Sequence, residues 1–562
     1  MLESEEYCHK SDVGKERLYF ATGYGLIQCV KGLMSYADED LLSAINHTKH
    51  GNHIASQHRK KAGFFGSLMG STASIRSMSD GERHAELTYA ESLFEKALLG
   101  IVYSGDWLAF IKEACVLSLS DVDFDIDRRA RLNMRTVFGL ATLVELFGYK
   151  GDRTYGLDLL MRAGGWSTDR SESAAEPGVS TTHEGVRRPI CDMALLIFHL
   201  VMSSYTGAGV DIVVATRILE WNLKRFPNGV FFLFGAGRLA LHRSRPRLAI
   251  HYYSQAMASQ IQYRNLDHIS YWECAIARLA LWEEIRVGGS AACWRVLEAE
   301  ATWSKAIYSY GLAACFLEDW DTDSPPSTPS GTGPTPKPKT KEARMKEASN
   351  LMKRVPNIRQ KIAGKSIPLE KFVARKARKY TSQANRLLLP ALEIAYIFYA
   401  IAHAPRSVLS AKMLPLVRGA LQKLSLGPEG YEGGKGEYWD DLCLARFLEG
   451  VCLRFIAYPD PDATPDPSSE TDIIPSTEAA QGAVEAFKAV FEYGPKIELD
   501  HYIVYHAHYE YGRLLACQGD FVGAKREFEL VLSGKPLEVG ASGRKVQSHS
   551  LLYPFLFLFR LC

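Results

Sequence analysis

The sequence has no surplus of either charge: 66 Lys and Arg stand against 64 Asp and Glu, a net charge of +2 over 562 residues. Binding nucleic acid by counterion release needs clustered cations, so no nucleic-acid partner is expected and any electrostatic partner must read a local patch. Cysteine is sparse and unpatterned. Eleven residues are scattered from Cys8 to Cys562 without a C-x-x-C pair, which argues against a disulfide scaffold or a zinc framework and for reduced, mostly buried thiols in a cytosolic or nuclear protein. Long apolar runs are missing too. The most apolar stretch, Leu387–Ala402, contains Pro390 and Glu393 and falls short of the roughly 18 residues that mark a membrane span, so it is expected as a buried helix. Ile190–Met202 is shorter still and holds Asp192 and His199. Met1–Asp12 carries acids and no apolar core, so no cleaved secretory signal is expected and the chain is not expected outside the cell.

Catalytic templates are also absent. There is no G-x-S-x-G turn and no H-E-x-x-H helix. Gly364-Lys365-Ser366 ends like a phosphate-binding loop, but Arg359 stands where that loop needs glycine, and Gly207-Ala208-Gly209 lacks the third glycine of a dinucleotide loop. His501, His506 and His508 lie beside Asp500; on a helix His506 and His508 point about 200° apart, so a packed aromatic helix with Tyr502, Tyr505, Tyr509 and Tyr511 is the better reading than a metal site. No catalytic, cofactor-binding or metal-binding residue is assigned, no cofactor is expected, and the chain reads as no enzyme.

What remains is helical. With 47% hydrophobic residues the chain can bury a large core, and strict strand alternation is hard to find. In Ala85–Ile101 apolar or small residues recur at Leu87, Ala90, Phe94, Ala97, Leu98 and Ile101, one face at steps of three and four. Ile212–Val214 leads into Ala215, Ile218, Leu219 and Leu223 at the same spacing, with Asp211 as N-cap. Four stretches, Gln57–Gly81, Ser167–Val186, Asp319–Thr340 and Tyr458–Thr477, are rich in Gly, Ser, Thr, Pro or acid and cannot bury enough apolar surface to offset chain entropy, so they read as mobile insertions.

Repeats decide the kind of helical protein. Gly512, Ala524, Phe528, Val531 and Pro536 follow the spacing of the 34-residue tetratricopeptide unit, in which small residues let two helices approach, an aromatic fills the gap between hairpins and proline stops the second helix. Gly237, Ala249, Tyr253 and Ala256 reproduce the offsets; Ala483, Phe487, Val490 and Pro495 reproduce the second half, with Gly450 beginning a first half before the Pro/Asp-rich insertion. The fold class is therefore all-α, a tetratricopeptide-like helical hairpin array (α-solenoid) with disordered insertions. Its expected organisation is an N-terminal helical hairpin over 1–56, a flexible insertion over 57–81, a helical repeat region over 82–318, a Pro/Ser/Thr-rich linker over 319–345, a second repeat region over 346–457, an insertion over 458–477, C-terminal repeats over 478–547 and an apolar tail over 548–562.

Several extended motifs occur in order: Gly151-Asp152-Arg153 with Tyr155-Gly156-Leu157, Arg188-Pro189-Ile190, Arg225-Phe226-Pro227-Asn228-Gly229 through Phe234, Gly237 and Arg238, then Tyr271-Trp272-Glu273, Trp303-Ser304-Lys305-Ala306 and Pro368-Leu369-Glu370-Lys371-Phe372-Val373. From about Leu18 to about Leu532 the chain resembles the fungal inclusion body clearance proteins and their animal relatives, the tetratricopeptide repeat protein 39-like family catalogued with the mitochondrial outer membrane. The resemblance implies residence at cytosolic inclusions of misfolded protein, contact with lipid-droplet proteins and a role in clearing inclusions; it implies no catalytic residues. The end departs from the family pattern: Ser548–Cys562 reads SHSLLYPFLFLFRLC, either a truncated or misread terminus that leaves the last hairpin uncapped, or a genuine apolar tail.

The most uneven charge lies in Lys341–Tyr380, with thirteen Lys and Arg against three Glu, a balance of +10. Within it Lys371, Arg375, Lys376, Arg378 and Lys379 flank Phe372 and Val373 and form a candidate docking patch for an acidic protein or an anionic lipid surface, against the plainer reading of a solvated helix face. The reading that follows is a cytoplasmic adaptor, with a nuclear location as the alternative, that binds proteins, lipid-droplet-associated ones by the resemblance. The alternatives are a lipid- or sterol-handling protein with an internal apolar cavity and a peripheral scaffold on the mitochondrial surface; a closed apolar pocket would favour the lipid reading and an open polar groove the adaptor.

Overall fold

The structure, a computed structural model, describes residues 2–35, 38–59, 79–104, 153–167, 177, 188–202, 210–259, 264–282, 289–301, 304–318, 341–362, 365–366, 368–432, 434–467, 470–471, 473–533, 538–539 and 545–546. The fold is all-α, a tetratricopeptide-like array of helical hairpins. The strands among the described residues are four of two residues each, Lys361–Ile362, Lys365–Ser366, Glu538–Val539 and Lys545–Val546, the last two pairing antiparallel. The chain divides into two compact units, residues 1–195 with 260–267 and 362–365, and residues 196–259 with 268–361 and 366–562.

The first unit holds α1 (Leu2–Ser11), α2 (Leu18–Ser35), α3 (Asp38–His58), α4 (Asp80–Ser104), α5 (Arg153–Gly164) and most of α6 (Arg188–Ile197). Helices α2 and α3 touch backbone to backbone: a Cβ on Gly51 would lie 2.9 Å from the Ala21 carbonyl oxygen, and one on Gly32 3.1 Å from that of Asp40. Cys29, Leu41, Ala44 and Leu99 form the core beside them. A polar clasp joins α5 to α6. Trp166 Nε1 donates to Asp192 Oδ1 at 2.7 Å, Arg188 Nε donates to the Gly164 carbonyl at 3.0 Å, and the Arg188 guanidinium lies 5.4 Å from the Trp166 ring centre.

The second unit holds α7 (Ile212–Arg225), α8 (Val230–His242), α9 (Pro246–Ser259), most of α10 (Arg264–Leu281), α11 (Ser290–Glu300), α12 (Lys305–Leu317), α13 (Lys341–Arg354), α14 (Pro368–Ser382), α15 (Pro390–Ile397), α16 (Leu414–Leu424), α17 (Lys435–Ala457), α18 (Ser476–Tyr493), α19 (Tyr502–Cys517) and α20 (Phe521–Leu532). Neighbours in sequence pack as hairpins, α8 with α9, α11 with α12, α17 with α18 and α19 with α20. Asp211 caps α7, its side chain accepting the Val214 N–H at 3.0 Å. One apolar cluster runs from Ala240 to Leu514.

Three hairpins share one device. A Cβ on Gly237 of α8 would come 2.3 Å from Tyr253 of α9, one on Gly450 of α17 2.7 Å from Phe487 of α18, and one on Gly512 of α19 2.8 Å from Phe528 of α20. The bare glycine lets the aromatic ring lie flush against the first helix. Ala249, Ala256, Ala483 and Ala524 are buried at the same contacts. Pro495 sits in a 3-10 turn just after α18; Pro536 and the tail 548–562 lie outside the described residues.

Several boundaries differ from the sequence reading. Leu387–Ala402 is no single helix: the left-handed backbone of Leu389 (φ +47°) and Tyr399 (φ +62°) confines α15 to Pro390–Ile397. The 319–345 linker ends earlier, because α13 begins at Lys341. The 57–81 insertion meets helix at both edges, as α3 runs to His58 and α4 starts at Asp80. Nor is the 458–477 insertion free chain along its described length. Thr464 donates its N–H to the Arg243 carbonyl at 3.1 Å and accepts from Arg245 Nε at 2.6 Å, and Arg406 holds Glu470 at 2.6 Å. With little apolar surface of its own, this segment is fixed instead by the polar groups it meets at the α8–α9 turn and at Arg406.

Candidate functional site

Helix α14 carries the basic segment, and its cations point two ways. Lys371 and Arg378 are exposed and Arg375 is half-buried, with its guanidinium 5.9 Å from the Tyr502 ring centre. Lys376 and Lys379 correct the patch reading, because their side chains are only 1% and 3% exposed. Lys376 Nζ lies 2.9 Å from Glu393 Oε1 and 3.0 Å from Asp500 Oδ2; Lys379 Nζ lies 2.6 Å from the same Asp500 oxygen and 3.6 Å from both Asp440 and Asp441. They share the inward face of the helix with Phe372 and Val373, so the apolar residues that suggested a docking surface mark the core side.

These ions tie α14 to α15, α17 and α19. Asp440 accepts the backbone N–H groups of Glu498, Leu499 and Asp500 at 2.8, 3.1 and 2.7 Å, which shapes the entry to α19, and Tyr502 donates its hydroxyl to Glu393. Burial alone would raise the Asp500 carboxyl, but the ammonium groups of Lys376 and Lys379 outweigh it and hold the pKa below the usual carboxylate range. Burial would likewise lower the pKa of both lysines, yet Asp500 and its neighbours raise it. Asp500 and its two lysines therefore stay charged, while burial pushes the Glu393 carboxyl up, and together the groups specify how four helices meet.

The histidines near Asp500 serve separate partners. His506 Nδ1 lies 2.9 Å from the Tyr396 hydroxyl, and burial lowers its pKa to about 4, leaving the ring neutral. His508 meets Glu527 at 2.6 Å and stacks on Phe491 with ring centres 4.1 Å apart. Among the described residues no group of three or more His, Cys, Asp or Glu is placed to hold a metal ion. Lys365–Ser366, the remnant of a phosphate-loop pattern, forms a two-residue strand rather than a helix start.

A groove in the second unit escaped the sequence reading. It encloses about 990 Å³ and is built from the end of α12 (Phe316, Leu317), the start of α13 (Arg344, Met345), Leu387–Pro390, α16 (Leu416, Gly419, Ala420, Lys423) and the loop Leu426–Glu432. It is open to solvent yet floored by apolar side chains, matching neither a closed lipid pocket nor a polar cleft. Gly427 (φ +88°) and Gly430 (φ +87°) shape its rim loop by a left-handed backbone. Arg386 on the wall is engaged by the Tyr431 hydroxyl at 2.7 Å and by Asp441 at 3.2 Å. Arg344, Lys423, Glu429 and Glu432 make no ion pair among the described residues. The available signal was the glycine-rich run Gly427–Gly436 beside the apolar Leu387–Pro390.

Comparison with known proteins agrees with the fold. The family model described as Iml2/Tetratricopeptide repeat protein 39 matches residues 1–119 and 139–456. Tetratricopeptide repeat protein ttc-39B of Caenorhabditis elegans is similar, 27% identical over 541 residues that cover 90% of this chain and 82% of that protein. No solved structure matches. Among the described residues no helix is long and apolar enough to cross a membrane.

Proposed function

Because this chain belongs to the Iml2/Tetratricopeptide repeat protein 39 family, a family of helical-repeat scaffolds for protein–protein interaction, we propose that it is a non-enzymatic adaptor that contacts lipid-droplet proteins and promotes clearance of cytosolic inclusions of misfolded protein after folding stress. The observation that carries the reading is the array of hairpins itself, which presents helix surfaces and grooves suited to protein contact. The resemblance to inclusion body clearance proteins supplies the finer role. Imaging of tagged protein during heat stress, with a clearance time course in cells lacking the gene, tests it. The tag is expected to meet aggregates and droplets, and clearance to slow on deletion; normal clearance with a tag that meets neither refutes the role.

A second reading, peripheral contact with an anionic surface such as that of mitochondria, is favoured by the exposed Lys371 and Arg378 on α14. The lipid- or sterol-handling alternative is favoured by the apolar floor of the groove, and its openness counts against it, since a sequestered lipid needs cover on every side.

A further inference from the structure

We propose that the groove beside α16 is a docking site for an amphipathic α-helix of a partner protein, seated with its apolar face on Phe316, Leu388 and Leu416. The inference rests on the adaptor reading and gives it a place on the molecule. Three observations select this occupant. First, the groove holds about 990 Å³ yet lies open; a helix would cover the apolar floor with one face and supply its own polar face to the water, which an acyl chain lacks. Leu426, 86% exposed at the lip, is a side chain such a helix would cover. Second, Gly419 on the wall faces empty space, since a Cβ built there meets nothing within 4 Å, so a partner's side chains can approach the backbone of α16 closely. Third, the rim carries both signs, Arg344 and Lys423 against Glu429 and Glu432, none ion-paired among the described residues. Mixed charge complements the flanks of a helix bearing both Glu and Lys, whereas a nucleic acid or an anionic membrane asks for one sign.

The test uses the full-length chain and a displayed library of 20-residue peptides with randomised apolar spacing, selected on the parent protein. Enriched sequences are expected to carry apolar residues at steps of three and four. Their affinity, read by fluorescence anisotropy, should fall at least tenfold with Gly419→Phe, which fills the groove, and with Leu426→Asp, which alters a side chain exposed enough to spare the fold. Gly23→Phe, at another helical glycine with open space around it, should change nothing. Arg344→Glu with Lys423→Glu should weaken peptides rich in Glu and spare those in which Lys replaces Glu.

Enrichment without helical spacing, or binders indifferent to both groove variants, would overturn the proposal. So would an anthroyloxy-stearate probe that binds the parent, is lost with Gly419→Phe and is not displaced by any peptide, since the occupant would then be an acyl chain. Failure here separates from failure of the adaptor role: binders indifferent to Gly419→Phe and Leu426→Asp, from a chain that still restores clearance in deleted cells, remove the groove and leave the adaptor. Peptide binding alongside normal clearance in deleted cells removes the role and leaves the groove.

Discussion

Gly237→Ala adds one carbon where α8 meets α9, and the structure says how badly it fits. The new Cβ would stand 2.3 Å from Tyr253 Cε1, whereas carbons in contact settle about 3.5–4.0 Å apart, so ring or helix must yield by more than about 1 Å. Tyr253 has no exposed surface and lies 5.8 Å, centre to centre, from the Phe234 ring, in an interior packed too densely to give way freely. Overpacking costs about 1–3 kcal/mol, and a clash this deep against a fully buried ring belongs in the upper part of that range, about 2–3 kcal/mol. Alanine returns up to about 1 kcal/mol of helix propensity, leaving a net loss of about 1–2 kcal/mol. The same substitution at Gly419, where a Cβ meets nothing within 4 Å, keeps only the propensity gain and should stabilise by up to about 1 kcal/mol. Urea unfolding followed by circular dichroism measures both, with hydrogen exchange reporting α8 and α9 separately because repeat arrays can open in sections. In a Tyr253→Leu background the cost of Gly237→Ala should shrink by about 1 kcal/mol or more. Equal costs in the two backgrounds, or a Gly237→Ala protein as stable as its parent, would refute the glycine-to-aromatic account of hairpin packing.

Lys376→Met should destabilise the second unit by about 3–5 kcal/mol, because it strands buried carboxylates, whereas exposed Lys371→Met should stay within about 0.5 kcal/mol; similar urea midpoints for the two variants would contradict the buried network. In the first unit, burial and then the neighbouring Glu91 push the Glu95 carboxyl from 4.5 to about 8. The folded form thus holds its proton to higher pH than the unfolded chain, so this carboxyl's contribution to stability is fully present below about pH 4.5 and is lost as pH rises toward 8. Glu95→Gln removes that dependence and should gain on the parent by about 1 kcal/mol or more by pH 8, read from melts across the range; parallel pH profiles would count against it.

Helix, cap and hairpin spacing were legible because they are local. The Asp211 cap depends on an N–H three residues away, and the offset from Gly237 to Tyr253 spans one helix–turn–helix, within which periodicity alone decides who faces whom. The family likeness was legible too, since its motifs are strings of neighbouring residues. The charge count over Lys341–Tyr380 was accurate and still misleading: the count measures how many cations a segment has, whereas their use depends on which side of α14 other helices cover.

An array of helical hairpins closed by small residues and aromatic rings can be read from the chain directly, because those choices are made between residues a few turns apart. Tertiary packing is what makes Lys376 and Lys379 core ions, since their shared partner Asp500 lies 124 and 121 residues away, what straps Thr464 of an insertion to Arg245 across 219 residues, and what brings four separate stretches of chain around one groove. Distant partners leave no period in a sequence; they meet only when the stacking of intervening helices brings them to hydrogen-bonding distance, where burial makes a pairing energetically compulsory that in solution would be worth little.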